Sequence, residues 1–138
     1  ARRMCIGDGY SIGRFDFSGK AVAVSDVNGD GASDLVIGAS VSRRGIRPRA
    51  GETYVLFGPL GAGSADLYVV ADVTINGVES GDVSGGALAV GDIDNDGSED
   101  LVIGAALAGT SQRGRAGETY VLFGPTPLPN KILPTLRK

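Results

Sequence analysis

Asp26-Val27-Asn28-Gly29-Asp30-Gly31-Ala32-Ser33-Asp34 returns about 66 residues later as Asp92-Ile93-Asp94-Asn95-Asp96-Gly97-Ser98-Glu99-Asp100, and both runs lead into Leu-Val-Ile-Gly-Ala. Each run sets oxygen-bearing side chains at its first, third and fifth positions, a glycine at the sixth and an aspartate at the ninth. That spacing curls a short loop around a hard cation such as calcium, which takes oxygen ligands in flexible geometry. The candidate ligands are Asp26, Asn28, Asp30, the backbone carbonyl of Ala32 and Asp34 in the first loop. In the second they are Asp92, Asp94, Asp96, the carbonyl of Ser98 and Asp100. Gly31 and Gly97 supply the sharp turn. Asn28 stands where the second loop has Asp94, so the first site is less anionic and the second is expected to hold calcium more tightly. An Asp- and Gly-rich turn tied only by side-chain to backbone hydrogen bonds is the competing account. Recurrence ahead of the same strand favours two calcium sites.

Outward from the loops, residues 17–59 align with 83–125 without a gap, and more than half of the positions are identical, including Ala-Gly-Glu-Thr-Tyr-Val-Leu-Phe-Gly-Pro. Short apolar runs bounded by turn residues predict strands over 21–24, 35–37 and 53–57, repeated over 87–90, 101–103 and 119–123. A fourth strand is expected over 67–75, with its counterpart ahead of the first copy at 10–12. Pro125, Pro127, Pro129 and Pro134 follow the second copy, so a strand near 131–133 should be short or at an edge. Residues 41–49 and 107–115 are loops of equal length and unrelated sequence. The strand Thr53-Tyr54-Val55-Leu56-Phe57 is apolar on both faces, which calls for sheets stacked on either side. The expected fold is all-β, with two four-stranded antiparallel blades arrayed radially; a two-sheet sandwich is the competing arrangement.

Composition removes several function classes. A chain of 138 residues that is 42% hydrophobic can build one real core, and its 23 glycines fall at recurring turn positions. Histidine is absent, which takes away the commonest general base and transition-metal ligand. Cys5 stands alone, so no internal disulfide forms; an inert thiol is weighed against an intermolecular bridge or a cofactor thioether. No apolar run approaches the roughly 20 residues that span a bilayer. Seven carboxylates belong to the loops, and two divalent ions would offset about four of those charges. Arginines instead gather at Arg43, Arg44, Arg47 and Arg49, at Arg113 and Arg115, and near the ends at Arg2, Arg3 and Arg137, beside Lys138. These are solvated loops or a surface for an acidic protein, glycan or lipid headgroup. A net charge of -3, without a recognition helix or stacking platform, speaks against nucleic acid.

Several pieces together resemble two FG-GAP repeats, the units of the seven-bladed propeller of integrin α subunits and of many bacterial surface proteins. They are Phe17-Ser18-Gly19 leading to Ala21-Val22-Ala23, the loop, Leu35-Val36-Ile37-Gly38-Ala39, and the strand ending in Phe57-Gly58. The second copy matches through Ser84-Gly85, Ala87-Leu88-Ala89, its loop and Phe123-Gly124. Departures are Gly38-Ala39-Ser40 and Gly104-Ala105-Ala106 in place of Gly-Ala-Pro, and Phe17-Ser18 and Val83-Ser84 in place of Phe-Gly.

The resemblance implies a lead-in over 1–16, repeats over 17–82 and 83–125, and a Pro-rich basic tail over 126–138. Two units do not close a ring, so it further implies a homo-oligomer, a larger protein partner that completes the propeller, or a piece of a longer chain. The strand at 10–12 is then expected to complete a neighbour's blade.

Three function classes follow. The first is a calcium-binding propeller-type binding or scaffolding module for adhesion or for protein or acidic-glycan contacts through its arginine-rich loops. Its expected place is secreted, on the cell surface or in another non-cytosolic compartment. The second is a small accessory subunit of a larger assembly. The third is a glycan-active hydrolase or lyase, which needs two carboxylates in a cleft. Most repeated carboxylates here serve the loops. Asp8, Asp16, Glu79 and Asp82 carry no motif, and Glu52 and Glu118 recur as architectural positions do.

Overall fold

Both copies of the repeat form the same sheet in the computed structural model of the chain, which describes residues 3–7, 16–42, 47–109, 114–125 and 132–133. In chain order the elements are β1 Met4–Gly7, β2 Ser18–Ser25, β3 Asp34–Ala39, β4 Glu52–Leu56, β5 Gly63–Asp66, the single helical turn α1 Leu67–Val70, and β6 Val73–Asn76. They continue with β7 Ser84–Gly91, β8 Asp100–Ala105, β9 Glu118–Leu122 and β10 Ile132–Leu133. The first blade is antiparallel in the order β6-β4-β3-β2, with β10 added parallel to β6. The second runs β7-β8-β9, three antiparallel strands among the described residues. The two are propeller-type blades and form no closed barrel among the described residues.

Registers coincide, because identical residues build both blades. Leu35 lies opposite Leu56 as Leu101 lies opposite Leu122, and Ala39 opposite Glu52 as Ala105 opposite Glu118. Each inner strand carries the same irregularity, after Ser18 in β2 and after Ser84 in β7. There Phe17 and Val83 take φ of 54° and 59°, and Gly19 and Gly85 follow at 79° and 80°. A left-handed Val is uncommon for a β-branched residue, so the surrounding ladder holds this kink against local preference.

Two sets of buried apolar side chains flank the first blade. Val36, Val55, Val73 and Ile75 pack with Leu101 and Ile103 of the second blade, and Val27 of the first loop joins them. On the opposite face Ile37, Tyr54 and Leu56 pack with Leu67 of α1. β4 is therefore buried at every residue, as its apolar run requires.

The structure corrects the strand expected over 67–75. Asp66 caps a helical turn by accepting from the Tyr68 N–H at 3.0 Å, and only 73–76 extend as strand β6. An apolar Leu-Tyr-Val-Val run reads as strand by side chain alone. Here only Leu67 is drawn inward, while Tyr68, Val69 and Val70 stay exposed. The parallel pair β1–β5, which begins with Met4 opposite Gly63, was not foreseen either, and Cys5 sits in it as an exposed free thiol. β10 is short and at the edge, as the prolines required. The strand expected at 10–12 lies outside the described residues.

The blades approach backbone to backbone. A Cβ placed on Gly38 would stand 2.0 Å from the Gly85 carbonyl oxygen, whereas one on Gly104, the matching residue of the second blade, would come no nearer than 3.3 Å to Ala87. Gly38→Ala should therefore cost about 3 kcal/mol and Gly104→Ala less than about 1 kcal/mol, read from urea midpoints of the dilute chain.

Candidate metal centres

Each loop is hung from one buried carboxylate. The Asp34 Oδ2 accepts from the Val27 N–H at 2.9 Å and the Asn28 N–H at 3.3 Å, and its Oδ1 accepts from the Gly58 N–H at 2.9 Å. In the second blade Asp100 accepts from Ile93 at 2.7 Å and from Gly124 at 2.8 Å. Both aspartates are fully buried. These hydrogen bonds hold the Asp100 carboxyl below its ordinary range, the bond from Gly124 most strongly and that from Ile93 next.

Gly58 and Gly124 mark the ends of matching strands in the sequence, which does not by itself give their steric role. A Cβ on either would fall 2.3 Å from the carbonyl oxygen of Ser33 or Glu99, so only glycine lets the end of the third strand touch the loop. The signal was present in the identical Phe-Gly-Pro that closes both copies.

The first position of each loop gathers the turn. Asp26 accepts from Gly29 at 2.8 Å and Asp30 at 3.0 Å through Oδ1, and from Gly31 at 2.8 Å through Oδ2. Asp92 accepts from Asp96 at 3.1 Å and Gly97 at 3.0 Å. Gly31 and Gly97 turn at φ of 87° and 91°, the role expected of them. Asp30 accepts from Ala32 at 2.7 Å, and Asp96 from Ser98 at 2.7 Å.

The third position separates the two loops. The Asn28 amide donates to Asp30 at 2.9 Å, and with the Ala32 N–H, the larger influence, it holds the Asp30 carboxyl below its ordinary range. Asp94 has no such amide to offer. Lost hydration, followed by the charges of Asp96, Asp100 and Asp92, raises its carboxyl above the ordinary range. Carboxylate oxygens of Asp92, Asp94 and Asp100 lie within 4.8 Å of one another, and no other group of three Asp, Glu, His or Cys residues is this close among the described residues. Three hard, mutually repelling oxygens at that spacing fit a divalent cation. The first loop offers the same backbone frame with one carboxylate fewer among its candidate ligands.

Of the arginine clusters, Arg3, Arg47, Arg49 and Arg115 are described, while Arg2, Arg43, Arg44, Arg113 and Arg137 lie outside the described residues. Arg47 is already engaged, since its charge moderates Asp82, whose carboxyl is raised chiefly by burial. A further pair recurs away from the loops. The Tyr54 hydroxyl donates to Glu52, which also accepts from Ser42 at 2.6 Å, and Tyr120 donates to Glu118 at 2.6 Å. Glu52 and Glu118 thus serve as architectural acceptors.

Stacked antiparallel blades, each opened by an Asp-rich hairpin loop, define a repeat of the propeller class. The chain belongs to the FG-GAP repeat family, whose profile matches residues 18–56 and 84–122. It is 35% identical to the phosphatidylinositol-glycan-specific phospholipase D of Mus musculus over 107 residues, covering 77% of this chain and 13% of that protein. Identity to the Homo sapiens protein of the same name is 36% over 109 residues, again 77% of this chain and 13% of the relative. Integrin alpha-IIb of Homo sapiens is 33% identical over 104 residues, 72% of this chain and 10% of that protein. Among the described residues no helix is long and apolar enough to cross a membrane.

Two outcomes follow without added metal. Asp34→Ala strands three backbone N–H groups and should lower stability by about 3 kcal/mol in a urea titration with chelator. Asp94→Asn should raise the midpoint at neutral pH, because a carboxyl with a raised folded value is charged there at a cost. That gain should fade as pH falls through the raised range, where the wild-type side chain takes up its own proton.

Proposed function

We propose that this chain is a calcium-stabilised, propeller-type binding module that works in a secreted or cell-surface setting. The observation that carries this is the convergence of Asp92, Asp94 and Asp100 within 4.8 Å. In the second loop the ion would be held by Asp92, Asp94, Asp96, the Ser98 carbonyl and Asp100. In the first it would be held by Asp26, Asn28, Asp30, the Ala32 carbonyl and Asp34. Bound calcium supplies positive charge that offsets the crowding of these oxygens.

The residues themselves do the positioning. Asp34 and Asp100 fix the loops to their sheets through backbone N–H groups, and Gly31 and Gly97 turn the chain so that successive side chains converge. Constants for extracellular modules of this kind run about 10⁻⁴ to 10⁻³ M, so millimolar calcium contributes about 1 kcal/mol per site, a structural rather than a signalling role.

The binding surface is assigned to the loops over 41–49 and 107–115, which differ between copies while their flanking strands are identical. Their arginines suit an acidic protein face or an acidic glycan. A phospholipase or hydrolase activity is not carried to this chain by a match over 13% of a relative.

Calorimetry with calcium chloride tests the metal reading. Two events are expected, the tighter one lost in Asp94→Asn and the weaker one strengthened in Asn28→Asp. Absence of heat together with an unchanged melting temperature at several millimolar calcium would reject it.

A further inference from the structure

The contact between the two blades is built from residues that occur twice, and among the described residues each blade shows the half of that contact that it does not use. The second blade docks through its inner strand β7, which lies against β2, β3 and β4. Its Ser84 N–H donates to the Ala50 carbonyl at 2.8 Å. The backbone of Ser84 and Gly85 fills the space that side chains on Gly51 and Gly38 would need, at 2.1 and 2.0 Å. Behind this seam Leu88 and Val90 of β7 join Ala23, Val36 and Val55 of the first blade in one buried cluster.

Every part has its twin. The receiving surface Ala23, Val36, Gly38, Gly51, Thr53 and Val55 reappears, residue for residue, as Ala89, Val102, Gly104, Gly117, Thr119 and Val121. The inserting strand with Ser84, Gly85, Leu88 and Val90 reappears as Ser18, Gly19, Val22 and Val24. Several side chains covered in one copy are open in the other, while Ile37, the twin of the seam residue Ile103, is already buried against Leu67. Thr53 is fully buried and Thr119 exposed; Val27 is 0% exposed and Ile93 54%. Val22 and Val24 are 59% and 65% exposed, and a Cβ on Gly19 would meet open space. α1 covers only the outer part of that face, through Leu67, and leaves β2 free.

One change in size sits at the edge of the seam. Gly86 lies near the Ser40 side chain across the existing seam, and their twins are Lys20 and the smaller, exposed Ala106.

We propose that a second copy of this chain docks its β2 onto the open β7-β8-β9 face, reproducing between molecules the seam already present within one. The two surfaces differ, so the contact is head-to-tail, and every assembly short of a closed ring carries a free donor at one end and a free acceptor at the other. The repeat and its exposed twins support this contact without any contribution from calcium.

Four exposed positions allow a test. One variant carries Val22→Glu and Val24→Glu, which spoil the inserting strand; another carries Ala89→Glu and Thr119→Glu, which spoil the receiving face. In sedimentation velocity the wild-type mass should climb with concentration past that of a dimer, and each double variant alone should sediment as a monomer. An equimolar mixture of the two should form dimers and stop there, because only one intact pair of surfaces remains. The single variants Val24→Lys and Thr119→Lys should show the same pattern more weakly. A wild-type chain that stays monomeric at sub-millimolar concentration overturns the proposal. So does a mixture that stays monomeric or grows beyond dimers, or a double variant that associates like wild type. Calcium titration of the same samples keeps a failure here distinct from failure of the metal reading.

Discussion

A buried carboxylate that accepts backbone N–H groups from two separate stretches of chain is the constraint on which each blade depends. Asp34 ties the start of its own loop, at Val27 and Asn28, to Gly58 at the far end of the third strand. Charge-assisted bonds of this kind are stronger than neutral ones, and a buried aspartate without them would be costly. The tie brings the hairpin loop between the first two strands against the end of the third, and the same geometry recurs at Asp100 and Gly124. The last loop position is therefore structural whether or not a cation is bound. Because both carboxylate oxygens already accept N–H donors, the exposed positions, and the third above all, are where the two loops differ in their capacity for a metal.

Between blades the controlling feature is steric. Gly38, Gly51 and Gly85 let two backbones meet with no side chain interposed, and the apolar cluster of Val36, Val55, Leu101 and Ile103 closes behind them. A repeat that is apolar on both faces buries them only when a neighbour stands on each side. Repetition thus turns one local solution into a surface requirement. Identical strands differ sharply in exposure because their neighbours differ, not because their sequences do.

The repeat, the two aspartate loops and the strands over 35–37, 53–57, 101–103 and 119–123 were legible from sequence because side-chain identity alone fixes them: apolar β-formers between glycine and aspartate turns. Other features rest on relations that no single segment displays. α1 forms because Asp66 caps it and Leu67 finds a pocket beside Tyr54 and Leu56, two facts that a hydrophobic run at 67–70 does not reveal. β1 and β5 pair in parallel across a long separation, with no turn signal to announce them. Gly58 and Gly124 read as ordinary turn glycines beside proline, and only the approach of Ser33 and Glu99 shows why a side chain is barred.

Divergence between the copies is concentrated where the fold does not fix the residue. The Tyr–Glu pair is kept in both, and the Tyr120 phenol is pushed well up, by burial first and then by its bond to Glu118. The third loop position, by contrast, is exposed in the second copy and makes no bond to the third strand, so its exchange between Asn28 and Asp94 leaves the backbone frame intact and changes only charge. An amide there locks the first loop internally by bonding Asp30, whereas a carboxylate leaves the second loop with unrelieved repulsion that a cation can answer. One frame thus carries two electrostatic settings, and among the candidate ligand side chains the difference comes from the third position alone, Asn28 against Asp94.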